Sequence, residues 1–118
     1  MKKILVIDDD HGITDALKTN LEMEGFQVDI DTDAKKLLEA NIYHPDLIIL
    51  DFFLGGVNGQ TIAKAIRDNN STKNIPIIMF SADPNNRKKI DPLVVNDFLD
   101  KPFEMSDLIN LANKYLPS

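Results

Sequence analysis

Between residues 3 and 116, apolar runs of strand length alternate with segments whose apolar residues recur at helical spacing. Few architectures accept that order. Lys3 to Ile7 is continuously apolar and rich in β-branched residues, as a strand buried on both faces must be. Ile13, Ala16, Leu17 and Leu21 then recur at helical spacing, and Gly25 suits the left-handed residue that closes a helix. Phe26 to Asp31 alternates as a second, weaker strand. Thr32 or Asp33 is placed to cap a helix that turns Leu37, Leu38 and Ile42 inward.

After Pro45, Asp46 to Leu50 is the most apolar strand of all. Residues Asp51 to Gly59 form a loop holding Gly55, Gly56 and Gly59, and Asn58 can cap a helix presenting Ile62, Ala65 and Ile66. Ile75 to Phe80 and Val94 to Leu99 are the fourth and fifth strands. The polar segment between them carries Pro84 and Pro92 and leaves room for only a short helix. Glu104 to Leu116 is the last helix, with Leu108, Ile109, Ala112 and Tyr115 in its apolar stripe. Strands alternating with helices imply parallel strands joined by right-handed crossovers. Strands apolar on both sides need helices on both faces. The expectation is an α/β fold: a doubly wound, three-layer sandwich whose chemistry gathers beyond the carboxyl ends of the strands.

Composition narrows the rest. A length of 118 residues suits one domain, here residues 1–118, and can bury a real core. The absence of cysteine excludes disulfides and thiolate metal sites. The apolar run after the two N-terminal lysines is too short for a signal core, and three aspartates follow it at once. No stretch approaches the length that spans a bilayer, so a cytoplasmic protein without a membrane partner is expected. A net charge of -6 disfavours direct nucleic-acid binding, which draws on a basic excess.

The strand ends carry the chemistry. The first ends in Asp8, Asp9 and Asp10, the third in Asp51 and the fourth in Ser81, while Lys101-Pro102 follows the fifth. Carboxylates crowded on one rim repel one another and need a counterion. A hard divalent cation with oxygen ligands, Mg²⁺ or Mn²⁺, meets that need, and Lys101 adds positive charge. A carboxylate beside such an ion and a lysine is placed to attack a phosphoryl group. His11 and His44 have no second histidine at ligand spacing and read as solvent-facing. Arg87-Lys88-Lys89 reads as a solvated helix face.

Four pieces of the chain, in order and at near-family spacing, resemble the response-regulator receiver domains of two-component systems. They are Ile4-Leu5-Val6-Ile7-Asp8-Asp9; Leu47-Ile48-Ile49-Leu50-Asp51 with Gly59 downstream; Met79-Phe80-Ser81-Ala82; and Asp100-Lys101-Pro102-Phe103. The resemblance implies a flavodoxin-like sheet of order 2-1-3-4-5. It makes Asp51 the phosphoacceptor, Asp9 a direct metal ligand, Asp8 a ligand acting largely through water, and Phe53 the donor of a main-chain carbonyl to the metal. Ser81 becomes the hydroxyl that turns toward the phosphoryl group, Lys101 its ion partner, and Phe98 the aromatic switch. A cis Lys101–Pro102 bond is implied as well.

The implied function is a switch rather than a turnover enzyme. A sensor histidine kinase or histidine phosphotransfer protein would donate the phosphoryl group, and an output protein would read the altered surface. The domain assists only its own phosphorylation and dephosphorylation. The chain ends soon after the last helix, so no output domain is expected within it. Two other readings use the same residues. A small Mg²⁺-dependent phosphohydrolase with Asp51 as nucleophile lacks a second acid and a substrate cap. A non-phosphorylated binding module would not need the full set of Asp8, Asp9, Asp51, Ser81 and Lys101.

The chain also departs from the family pattern. Gly55, next to Gly56, stands where a proline is usual, which implies a more mobile loop. Val95-Asn96 replaces a Gly-Ala pair, and the stretch from Ser81 to Lys101 is short, which implies a brief or distorted fourth helix.

Overall fold

The computed structural model describes residues 1–117, apart from the side chain of Pro84. Five parallel strands form the central sheet: β1 (Lys3–Ile7), β2 (Gln27–Asp31), β3 (Leu47–Asp51), β6 (Ile77–Ser81) and β7 (Asp97–Asp100). Between β3 and β6 lies a two-stranded antiparallel ribbon, β4 (Phe53–Leu54) with β5 (Val57–Asn58). The helices are α1 (His11–Met23), α2 (Lys35–Ala40), α3 (Gly59–Asp68) and α4 (Met105–Tyr115), with a 3-10 helix at Pro84–Lys89.

The sheet order is β2-β1-β3-β6-β7. Counting only strands of this sheet, that is the expected order 2-1-3-4-5. The chain runs outward from β1 to β2, then crosses back to place β3 on the other side of β1, so the order reverses between β1 and β3. Alternate residues of β1, β3 and β6 enter opposite cores. Ile4, Val6, Leu47, Ile49, Ile78 and Phe80 meet Leu17, Leu21, Leu108 and Ala112 from α1 and α4. Leu5, Ile7, Ile48, Leu50, Ile77 and Met79 meet Leu37, Ala63 and Ile66 from α2 and α3. That two-sided burial is why these strands are apolar throughout.

Several local expectations shift. Ile42 is exposed, because α2 stops at Ala40 and Asn41 takes a left-handed conformation (φ 42°). The Asp33 carboxylate accepts from Lys35 N–H, but the residue at the start of α2 is Ala34, without a side-chain cap. In α1 Ala16 faces solvent and Thr14 is buried in its place. In α3 Ala63 is fully buried and Ala65 only partly. Strand β6 begins at Ile77 rather than residue 75, since Pro76 has no N–H to enter a ladder. Strand β7 begins at Asp97, because residues 92–94 form a turn.

The glycine pair closes a tight turn. Gly55 (φ 52°) and Gly56 (φ 83°) form the two central residues of the β4–β5 hairpin. Positive φ at both positions is what a type I′ turn demands, and its twist matches the flanking strands. The expected shortening of the fourth helix is present as the six-residue 3-10 helix. Asn96, standing where a small residue is usual, accepts from Ile77 N–H (2.9 Å) and Arg67 Nη2 (2.7 Å) through Oδ1. The Lys101–Pro102 bond is cis. Among the described residues, no helix is long and apolar enough to cross a membrane.

Gly59 opens α3 directly behind Asp51. A Cβ built there would lie 2.7 Å from the main-chain oxygen of Asp51 and 2.9 Å from Phe52 Cα. The glycine is needed for space, since both neighbours are backbone and cannot turn aside. Gly59→Ala is expected to destabilise the fold by about 1–3 kcal/mol, read from urea unfolding. An unchanged midpoint would show that the β3–α3 backbone yields freely.

Candidate phosphoacceptor site

Register brings the acids together. Ile7 lies opposite Leu50 in the β1–β3 ladder, so the next residues along, Asp8 and Asp51, emerge side by side at the carboxyl end of the sheet. One carboxylate oxygen from each of Asp8, Asp9 and Asp51 lies within 4.8 Å of the others. Asp10 stands apart from this group: its carboxylate accepts from Gly12 and Ile13 N–H and caps α1.

Asp8 is 1% exposed. Its Oδ1 accepts from Asp10 N–H at 3.0 Å, while its buried Oδ2 has no hydrogen-bond partner. Burial, and then the neighbouring Asp51 charge, push its carboxyl up to about 6, against the lowering pull of the Asp10 N–H and of Lys101. Asp51 is also raised by burial, though Lys101 and the main-chain N–H groups of Phe53 and Phe52 oppose the rise. Asp9 is exposed, and its Oδ2 accepts from Gly55 N–H at 3.2 Å. The hairpin therefore touches the acid cluster through its turn.

Lys101 answers the cluster. It leaves β7 one residue after the Ser81–Asp100 register pair. Its Nζ lies 3.6 Å from Asp51 Oδ1 and 3.9 Å from Asp8 Oδ2. The ammonium also sits 4.5 Å from the centre of the Phe80 ring, whose π face attracts a cation. One ammonium faces three carboxylates. The orphaned Asp8 Oδ2 and the all-oxygen donor set fit a hard cation between them.

Ser81 ends β6 and is buried, but its hydroxyl is engaged away from the acids. Oγ accepts from Asn86 Nδ2 at 2.6 Å and from Asp83 N–H at 3.2 Å. Phe98 is partly buried on β7, with the Arg87 guanidinium 4.8 Å from its ring centre. Arg87 also pairs with Asp100 at 3.1 Å. Phe53 lies on β4, two residues beyond Asp51, and is exposed. His11 and His44 are exposed, as expected.

Three contributors escaped the sequence reading: Asn86, the Gly55 N–H and the Phe80 ring. Asn86 lies in a polar stretch and reads as solvated. The Gly55 contact depends on a hairpin that two glycines alone do not announce. Phe80 reads as core, and its edge position under Lys101 emerges only from the β6–β7 register.

The response regulator receiver domain family matches residues 4–113. The DNA-binding dual master transcriptional regulator RpaA of Synechocystis is 36% identical over 112 residues, 92% of this chain and 46% of that protein. The transcriptional regulatory protein CpxR of Escherichia coli K12 is 36% identical over 111 residues, 92% of this chain and 47% of that protein. This chain thus spans about half the length of these relatives. Among solved structures, the response regulator TrrA of Thermotoga maritima in complex with Mg²⁺-BeF superposes with a TM-score of 0.85 at 29% identity, covering 98% of this chain and 99% of that one. A family match across nearly all of the chain, with the parallel sheet and its acid-lined rim, makes this protein a member of the response regulator receiver domain family.

Proposed function

We propose that this chain is a phosphoacceptor switch, with Asp51 as the group that carries the phosphoryl. The observation that carries the reading is the Lys101 ammonium, 3.6 Å from Asp51 and 3.9 Å from Asp8, at the rim where β1, β3, β6 and β7 end. A phosphohistidine on a sensor histidine kinase or a histidine phosphotransfer protein is the donor. An Asp51 carboxylate oxygen attacks phosphorus, the N–P bond breaks as the O–P bond forms, and the imidazole, protonated on its other ring nitrogen, departs as the neutral base. Asp51 must be ionised to attack, and Lys101 with the Phe52 and Phe53 N–H groups favours that form.

Asp8, Asp9, Asp51 and the Phe53 carbonyl are the groups that would hold Mg²⁺ or Mn²⁺. When bound, the ion neutralises charge on the transferring oxygens. Ser81 then offers its hydroxyl proton to a phosphoryl oxygen, and Lys101 pairs with another. The aspartyl phosphate adds negative charge where the four strands end, and Phe98, on the strand leading to Lys101, is the aromatic that registers it. The output partner reads that change on the face formed by the 3-10 helix, β7 and α4.

Incubation with acetyl phosphate and Mg²⁺ is expected to add one phosphoryl mass to the native chain and none to Asp51→Asn, read by intact-mass spectrometry. Lys101→Ala should slow the gain on the order of ten- to a hundredfold. Equal labelling of native and Asp51→Asn chains would refute the assignment.

The raised carboxyls set a pH dependence. Folded Asp8 keeps a proton up to about 6, whereas an unfolded aspartate releases it near about 4. The folded state therefore binds more protons in that window, and metal-free stability falls as pH rises through it. Mg²⁺ must displace the same proton, so its affinity should weaken as pH drops from 7 to 5. Urea midpoints with and without Mg²⁺ are expected to diverge above pH 6 and converge near pH 5. A pH-independent gap would contradict the placement of Asp8 at the ion.

A further inference from the structure

We propose that Asn86 is a positioning residue for Ser81: its side chain holds the hydroxyl on the 3-10 helix until a phosphoryl group on Asp51 draws it away, and that exchange moves the helix. The inference rests on Asp51 and Ser81 acting as proposed above.

A serine hydroxyl has two lone pairs and one proton. Both lone pairs of Ser81 are taken, by Asn86 Nδ2 at 2.6 Å and by Asp83 N–H at 3.2 Å. The proton has only the Asp83 carbonyl, at 3.5 Å, the outer limit of a hydrogen bond. The accepting capacity of the hydroxyl is therefore full while its donating capacity is almost unspent. A phosphoryl oxygen accepts only, so it makes the one bond that the present arrangement leaves open.

Position sets the cost of that new bond. Asp83 and Asn86 both lie on the connection that leaves β6, whereas Asp51 is on β3, the neighbouring strand. We infer that a shift of Oγ toward Asp51 lengthens both existing contacts. Asn86 is 2% exposed, so its amide has little access to water. A buried donor left without an acceptor is unfavourable, and the short helix re-seats so that the amide finds another. The next residue carries the movement onward. Arg87 packs its guanidinium 4.8 Å from the Phe98 ring centre and pairs with Asp100 at 3.1 Å. One amide thus links the hydroxyl at the site to the aromatic on β7 through two consecutive residues of the same turn.

The test titrates the full chain with Mg²⁺ and beryllofluoride and follows ¹H–¹⁵N spectra. In the native chain the Asn86 side-chain amide is expected to shift together with the Arg87 and Phe98 backbone signals. Asn86→Ala should bind beryllofluoride about fivefold more tightly, the worth of one neutral hydrogen bond no longer broken on binding. In a Ser81→Ala background the same substitution should change affinity by less than about twofold. An Asn86 that acts only as core packing would give equal effects with and without the serine, and that result overturns the inference. So does a native chain that binds while its Asn86 amide stays in place, a measurement that needs no variant to fold. No beryllofluoride response in the native chain, or an equal one in Asp51→Asn, overturns the reading of Asp51 and this inference with it.

Discussion

Three carboxylates share a rim with one ammonium, and much of the structure around them follows from that imbalance. Two of the acids, Asp8 and Asp51, have their carboxyls raised by burial, and the neighbouring Asp51 raises Asp8 further. Lys101 reaches both at once, and the Phe80 ring beneath it adds a second attraction. The Asp10 N–H on Asp8 and the Gly55 N–H on Asp9 supply further positive dipoles. A site that stays short of positive charge after all of these is prepared for a cation and for a phosphoryl group whose charge that cation offsets.

The parallel sheet makes the gathering possible. Residues 8, 51, 81 and 101 are far apart in sequence, but they sit at or just beyond the carboxyl ends of β1, β3, β6 and β7, which line up in one order. Apolar residues above and below β1, β3 and β6 lock the register, because a slip of one residue would move each side chain to the opposite core. Burial of Leu5, Ile49 or Met79 therefore also aims the acids. Gly59 belongs to the same arrangement: α3 can start against the Asp51 backbone only where no side chain intervenes.

Departures from the family pattern change how the rim is framed without disturbing its centre. The Gly55-Gly56 pair closes a hairpin, and its turn amide meets a metal-ligand candidate. Asn96 inserts an amide oxygen between Arg67 and the start of β6. The polar segment after Ser81 folds into a 3-10 turn that sends Asn86 inward to the hydroxyl and Arg87 outward over Phe98. In the last of these the buried Asn86 amide and Ser81 hydroxyl are paired, which is the condition for tolerating buried polar groups.

The alternation of apolar runs with helical periods determined the α/β class, the helices on both faces and the acidic strand ends. Those properties depend on burial and on chain direction, and both are written locally in the order of residues. Asp51, Asp8, Asp9 and Lys101 were legible for that reason. Ile42 and Ala16 misled, because a helical stripe does not show where the helix stops or how wide its buried face is. Only tertiary structure decided that Ser81 is held by Asn86, that two adjacent glycines at positive φ make a turn touching Asp9, and that Lys101 lies over Phe80. Those contacts join residues on different elements at separations of a few ångströms, and no residue's chemistry states its distance from a partner on another strand.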